Sequence, residues 1–221
     1  MQAADTLRGL VSGQAPGALE RHGKRLLWRW PRGSLLLHLG MTGKWTRHAT
    51  PFARVRLRLD DGSEVCFSDP RLLGGVVPCS HAQGERWLRE GLGPDAWRDG
   101  LPPLAGRRAV KVVLMDQAVV AGLGNLHAAE ALWRAGIDPR RPAGELGPRL
   151  PRLRDAVHEQ LRLALADLAA EDEVTYVEDP GAANPFPVYR KAGQPCPRCG
   201  ATLARLLQAA RSTYWCPGCQ D

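Results

Sequence analysis

No apolar run among the 221 residues approaches the ~18 that a membrane-spanning helix needs, so a helical membrane protein is excluded. The N-terminus, Met1-Gln-Ala-Ala-Asp5-Thr6, lacks a basic stretch followed by an apolar one. It does not read as a secretion signal, and the expected location is the cytoplasm, beside the nucleoid. There is no internal repeat. Acidic residues are the minority, 23 Asp and Glu against 30 Lys and Arg, a formal charge of +7. That balance suits a polyanionic partner without establishing one. Acid is scarcest at the end, where Lys191, Arg198, Arg205 and Arg211 face only Asp221.

Cysteine is also sparse, six in all, and four of the six are concentrated in that same tail. Cys196-Pro-Arg-Cys199 and Cys216-Pro-Gly-Cys219 are separated by sixteen residues. Two Cys-x-x-Cys knuckles at this separation are the usual form of a four-thiolate zinc site, because a two-residue gap lets both sulfurs reach one ion. Four protein ligands leave no open position for a catalytic water, so the expected zinc is single and structural. A disulfide pair or unlinked thiols is the alternative, and the missing secretion signal argues against it. The stretch between the knuckles suits a two-stranded hairpin whose tip reads Gln208-Ala-Ala-Arg211-Ser-Thr213. Cys66 and Cys79 remain as expected buried, reduced thiols.

The rest of the chain divides by its periodicity. Residues 6–11 suit a helix turn or a strand entry, and residues 13–17 a loop. Strands are expected at residues 26–30 and 34–39, and the strict alternation at 55–59 returns through an Asp61-Gly62 turn to 64–67. This predicts an antiparallel sandwich-like β domain over 1–90. The Pro- and Gly-rich run 91–106 reads as a linker. Helical spacing follows at 112–115 and 126–135, ended by Gly136 and Pro139, and Leu153, Val157, Leu161, Leu165 and Leu168 stripe one long helix. Residues 107–185 then form a helical domain that closes with a polar loop at 174–184, and 186–221 the zinc finger. The fold class is α+β and multidomain, and nothing calls for more than a monomer. Gly122 and Gly124 make a tight turn before a helix, whose free N–H groups suit a phosphate, with Asn125 as a further donor. Two glycines before a helix are most often just a turn.

Several segments together resemble the formamidopyrimidine-DNA glycosylase and endonuclease VIII family. They are Arg21-His-Gly-Lys24-Arg-Leu-Leu27, His38-Leu-Gly-Met41-Thr-Gly43, Asp69-Pro-Arg71-Leu-Leu-Gly74, the run from Val119 to Pro139 and the zinc finger, in the order the family has them. The resemblance implies a helix-two-turn-helix domain and double-stranded DNA carrying a damaged base or an abasic site, lying between the two domains. It implies base-excision repair by a DNA glycosylase and AP lyase. Lys24, Asn125 and Arg211 would contact phosphates, and His38 would also contact the DNA. Met41, Arg71 and Leu73 would fill the space left by an everted nucleotide. Leu72 and Leu73 depart from the family's usual Asp-Pro-Arg-Arg-Phe-Gly, and Arg190 stands where glycine is usual.

The family's nucleophile is an N-terminal proline followed by glutamate, which forms a Schiff base with C1′. The chain given begins Met1-Gln2, and Lys24 lies nearer its start than in the family. Three readings follow: an enzyme whose head is absent from this sequence, a binder of damaged or distorted DNA without catalysis, or an enzyme using another amine, Lys24 first. A zinc-ribbon interaction module with no DNA role is the bland alternative.

Overall fold

The computed structural model describes residues 2–169, 175–177, 179 and 181–221. The chain separates into two compact units, Met1–Glu90 with Glu173–Tyr176, and Gly91–Asp172 with Val177–Asp221.

The first unit opens with helix α1 (Gln2–Val11), which settles the ambiguous start. Seven strands follow: β1 (Leu19–His22), β2 (Arg25–Trp30), β3 (Gly33–His38), β4 (Lys44–Thr46), β5 (Ala53–Arg58), β6 (Glu64–Ser68) and β7 (Gly75–Cys79). They form two antiparallel sheets in the orders β1-β2-β3-β7 and β4-β6-β5. The inward residues Trp30, Leu35, Leu37 and Leu57 make the core together with Leu10 of α1. Trp28, Trp30, Trp45 and Phe67 extend it as a chain of tilted and edge-on rings with centroids 5.1 to 5.9 Å apart. Helix α2 (His81–Arg89), which the periodicity does not announce, starts at a capping box between Ser80 and Gln83 and lays Leu88 against Leu27 and Cys79.

The second unit contains α3 (Val110–Met115), α4 (Asn125–Ala135), α5 (Arg149–Ala169) and the hairpin β8 (Ala204–Gln208) with β9 (Arg211–Trp215). Val113, Leu114, Leu132, Ile137, Leu153 and Val157 are buried in one core. The run 91–106 is not a free tether, because Ala96, Leu101 and Leu104 are buried in that core. Its prolines and glycines bend a chain that the apolar residues then anchor. Helix α4 ends at Gly136 in the left-handed region (φ 62°), as its sequence suggests. Of the expected stripe on α5, Leu153 and Val157 are buried, Leu161 is half-buried and Leu165 is exposed. The side chain of Leu168 lies outside the described residues, as do parts of the polar loop at 174–184. Among the described residues no helix is long and apolar enough to cross a membrane.

Candidate nucleic-acid interface

In the first unit, strand register brings the singled-out residues to one end of a sheet. Gly23 and Lys24 turn β1 into β2, Arg25 at the start of β2 pairs with His38 at the end of β3, and His38 pairs with Gly75 at the start of β7. The turn bearing Lys24, the turn after His38 that carries Met41, and the loop before Gly75 that carries Arg71 and Leu73 therefore neighbour one another. Lys24, His38, Met41, Arg71 and Leu73 are all exposed. Met41 is 61% and Leu73 44% exposed.

Those turns are rigid because a buried carboxylate ties them together. Asp69 Oδ1 accepts from the Thr42 hydroxyl at 2.7 Å and the Arg71 N–H at 3.3 Å, while Oδ2 accepts from the Gly74 N–H at 2.7 Å. Gly40 adopts φ 62°, and a side chain there would come within 2.6 Å of the Leu73 carbonyl carbon, so the two turns touch backbone to backbone. The Met41 turn is closed by Gly43 N–H donating to Leu39 O at 2.8 Å, and Gly43 O in turn accepts from the Tyr176 hydroxyl at 2.7 Å. Leu72 sits in the left-handed region (φ 57°), a conformation that costs a residue with a Cβ energy.

In the second unit the double turn between α3 and α4 is organised by Gln117. Its amide donates to the carbonyls of Met115 at 3.0 Å and Leu123 at 2.8 Å, and its oxygen accepts from Gly122 N–H at 3.0 Å. Asn125 thereby opens α4, whose first turn carries no acidic residue to compete for its free N–H groups. The Asn125 side chain is held on both sides. Its oxygen accepts from Lys111 Nζ, and its nitrogen donates to Ser212 O at 3.0 Å. Lys111 is wholly buried, and burial, then the charge of Arg211, lowers its pKa to about 8. Arg211 itself is exposed at the start of β9. The hairpin tip is narrower than its sequence suggests: Ala209 and Ala210, both with positive φ, make a two-residue turn. The structure thus gathers Asn125, Arg211 and an unforeseen lysine into one cationic cluster. The available signal for Lys111 is a single charge inside the apolar run Val110-Lys-Val-Val-Leu-Met115.

Cys196, Cys199, Cys216 and Cys219 place their four sulfurs within 4.8 Å of one another. Sulfur–sulfur separations of 3.7 Å (Cys196 to Cys219) and 3.4 Å (Cys199 to Cys216) are far from a disulfide bond. They are close to the ~3.8 Å edge of a tetrahedron with Zn–S distances of about 2.3 Å. The four thiols fit one structural zinc, which would supply cross-linking and no open coordination site. Cys66 and Cys79 are buried and unpaired by disulfides. The finger rests on α4. Buried Glu130 accepts the N–H groups of Val188 at 2.9 Å and Tyr189 at 2.7 Å; burial raises its pKa against those donors.

A β-sheet unit with braced, exposed turns, together with a unit where a double turn, a helix start and a four-thiolate finger meet, defines a helix-two-turn-helix, zinc-finger protein. Residues 1–76 match the formamidopyrimidine-DNA glycosylase N-terminal domain, residues 98–173 its H2TH domain, and residues 193–221 the zinc finger found in FPG and IleRS. The formamidopyrimidine-DNA glycosylase of Alkalilimnicola ehrlichii is 41% identical over 95% of this chain and 84% of its own length. The crystal structure of MutM (FPG) from Thermus thermophilus matches 96% of this chain and 85% of that one, with a TM-score of 0.76 and 31% identity. Lactococcus lactis Fpg, solved with DNA containing an abasic site, matches 98% of this chain and 86% of that one at a TM-score of 0.82 and 26% identity. The chain belongs to the formamidopyrimidine-DNA glycosylase family.

Proposed function

We propose that this protein recognises damaged bases and abasic sites in duplex DNA and serves base excision as a DNA glycosylase and AP lyase. The observation that carries the reading is the pair of exposed turns cross-braced by Asp69. Evicting a nucleotide leaves an unstacked gap, which an apolar side chain can fill while an arginine hydrogen-bonds the orphaned base. Met41 and Leu73 supply the apolar bulk and Arg71 the donor. A wedge of this kind works only on a rigid support, since a mobile turn would lose the stacking energy to its own ordering. Lys24 and His38 lie at the same sheet end, placed for the sugar-phosphate backbone. In the second unit Asn125, the α4 start and Arg211 form the phosphate-binding cluster, with Lys111 behind them adding charge and fixing the Asn125 amide. The work is done where the genome is, in the cytoplasm.

The relative from Lactococcus lactis, solved with abasic-site DNA, supports the choice of substrate. Competition between a duplex carrying a tetrahydrofuran abasic analogue and the same duplex undamaged tests the reading. The damaged duplex should bind at least about tenfold tighter, with both affinities falling steeply as salt rises. Equal affinity would sink the proposal. Borohydride trapping on a natural abasic site then assigns the chemistry. A covalent adduct places the attacking amine within these residues, and peptide mapping names it. Lys24, exposed on its hairpin turn, lacks the desolvation that usually activates a Schiff-base lysine.

A further inference from the structure

One side chain of α4 reaches the thiolate centre directly. Trp133, in the last turn of α4, is buried, and its indole Nε1–H donates to Cys196 Sγ at 3.4 Å. The backbone N–H of Arg198 donates to the same sulfur at 3.4 Å. The Arg198 guanidinium then folds back over the indole, 4.3 Å from its centre, and donates to the carbonyls of Trp133 at 2.9 Å and Arg134 at 3.3 Å. The Trp133 carbonyl also accepts from the Gly136 N–H at 3.0 Å, so the arginine stacks on the ring and adds to the cap of α4. The first knuckle therefore grips one aromatic ring by its edge and its face. At the other end of the same helix, Asn125 is bonded to Ser212 between the knuckles. Both ends of α4 are fastened to the finger.

Four thiolates around one divalent cation carry a net charge of about −2, which a buried site tolerates only if N–H donors and cations offset it. The sulfur of Cys196 is buried, and the indole is a side-chain donor aimed at it. We propose that Trp133 is a positioning residue of the zinc centre. Its N–H orients the Cys196 thiolate, slows metal release, and withdraws the electron density that would make this sulfur attack electrophiles. Donors placed around metal ligands in this way typically change metal affinity by about 10- to 100-fold.

The Trp133→Phe substitution in the full chain tests this, since it keeps an aromatic ring for Arg198 and removes the donor. Two readouts are needed: the rate at which zinc passes to 4-(2-pyridylazo)resorcinol, and the order in which limiting N-ethylmaleimide modifies the four cysteines. In the parent, exposed Cys199 should react well before Cys196. In the variant, zinc should leave roughly 10- to 100-fold faster and Cys196 should react alongside Cys199. Arg198→Met, which keeps the indole donor and loses the stack and the cap, should lower thermal stability with zinc release close to the parent rate. Unchanged release and an unchanged order of modification in Trp133→Phe would overturn the inference. Equal acceleration in both variants would also overturn it, by assigning the effect to packing. Purified parent protein without bound zinc would overturn the metal centre itself and this inference with it.

Discussion

Replacing Asp69 with asparagine would remove one charge from the brace and almost no volume. The parent carboxylate is buried and accepts three donors, from Thr42, Arg71 and Gly74. Burial alone would push its pKa up, but the Gly74 N–H, the Thr42 hydroxyl and the Arg71 N–H outweigh it and hold the carboxyl below its ordinary value. An asparagine has one acceptor atom. If that oxygen serves Thr42 and Arg71, the NH2 group faces the Gly74 N–H, donor against donor. A hydrogen bond to a charged acceptor contributes about 1.5–3 kcal/mol, and stranding a buried donor costs a similar amount, so a net loss of about 2–3 kcal/mol is expected at neutral pH. Amide hydrogen exchange reads this locally. Protection of Gly74 should drop by roughly 30- to 100-fold, at about 1.4 kcal/mol per tenfold. The pH dependence has a definite sign. A carboxyl with a depressed folded pKa stabilises fully above its unfolded value of about 3.9, and that increment is lost as pH falls through the folded value. The gap between parent and variant should therefore be full at pH 7 and close below about pH 4. The loosened turns should also cost more affinity for an abasic-site duplex than for an undamaged one. Equal Gly74 protection at pH 7, or a gap that persists undiminished in acid, would refute the brace.

Three further outcomes can be stated. Raising the pH through about 8 should neutralise Lys111, whose pKa is lowered by burial and then by Arg211. Because its folded pKa lies below the unfolded one, the second unit should gain stability between about pH 8 and pH 10 while duplex affinity falls. Lys111→Met should abolish both trends, melt higher and bind more weakly; fluorescence anisotropy and thermal melts at pH 7 and 9 would expose a failure. Arg211→Ala should weaken binding to all duplexes alike and reduce the slope of log affinity against log salt by about one unit, whereas a sequence-selective effect would count against a phosphate role. Leu72→Gly should stabilise the first unit by about 1 kcal/mol, since the leucine is 67% exposed at φ 57° and contributes strain without burial. A lower melting temperature would contradict that reading.

These predictions fall on two kinds of residue, and the two differ in how far sequence reveals them. Spacing exposes whatever repeats: the paired Cys-x-x-Cys knuckles, the alternation through Val55 and Leu57, and the step from Leu153 to Val157 each show their period within a few residues. Helix α2 escapes such a reading although Ser80 and Gln83 form a capping box. Gly84 in its middle lowers helix propensity, and only the fold shows why it is there: any side chain would meet Leu27 at 2.6 Å. Strand β7 escapes it because Pro78 argues against a strand, yet β7 is an edge strand, where proline is tolerated.

The candidate site divides in the same way. Lys24, Met41, Arg71, Asn125 and Arg211 belong to local motifs, so a motif can name them one at a time. The groups that hold such residues are buried and act at long range: Asp69 on Thr42, Lys111 on Asn125, Trp133 on Cys196. No local pattern encodes a partner 14 to 63 positions away. What sequence does encode is the anomaly each creates. Lys111 and Glu130 are charges within apolar helical stretches, where an unpartnered ion would cost several kcal/mol. A charge in such a place implies a buried network before any coordinates exist, and here the two of them sit behind the Asn125 and Arg211 cluster and beneath the finger.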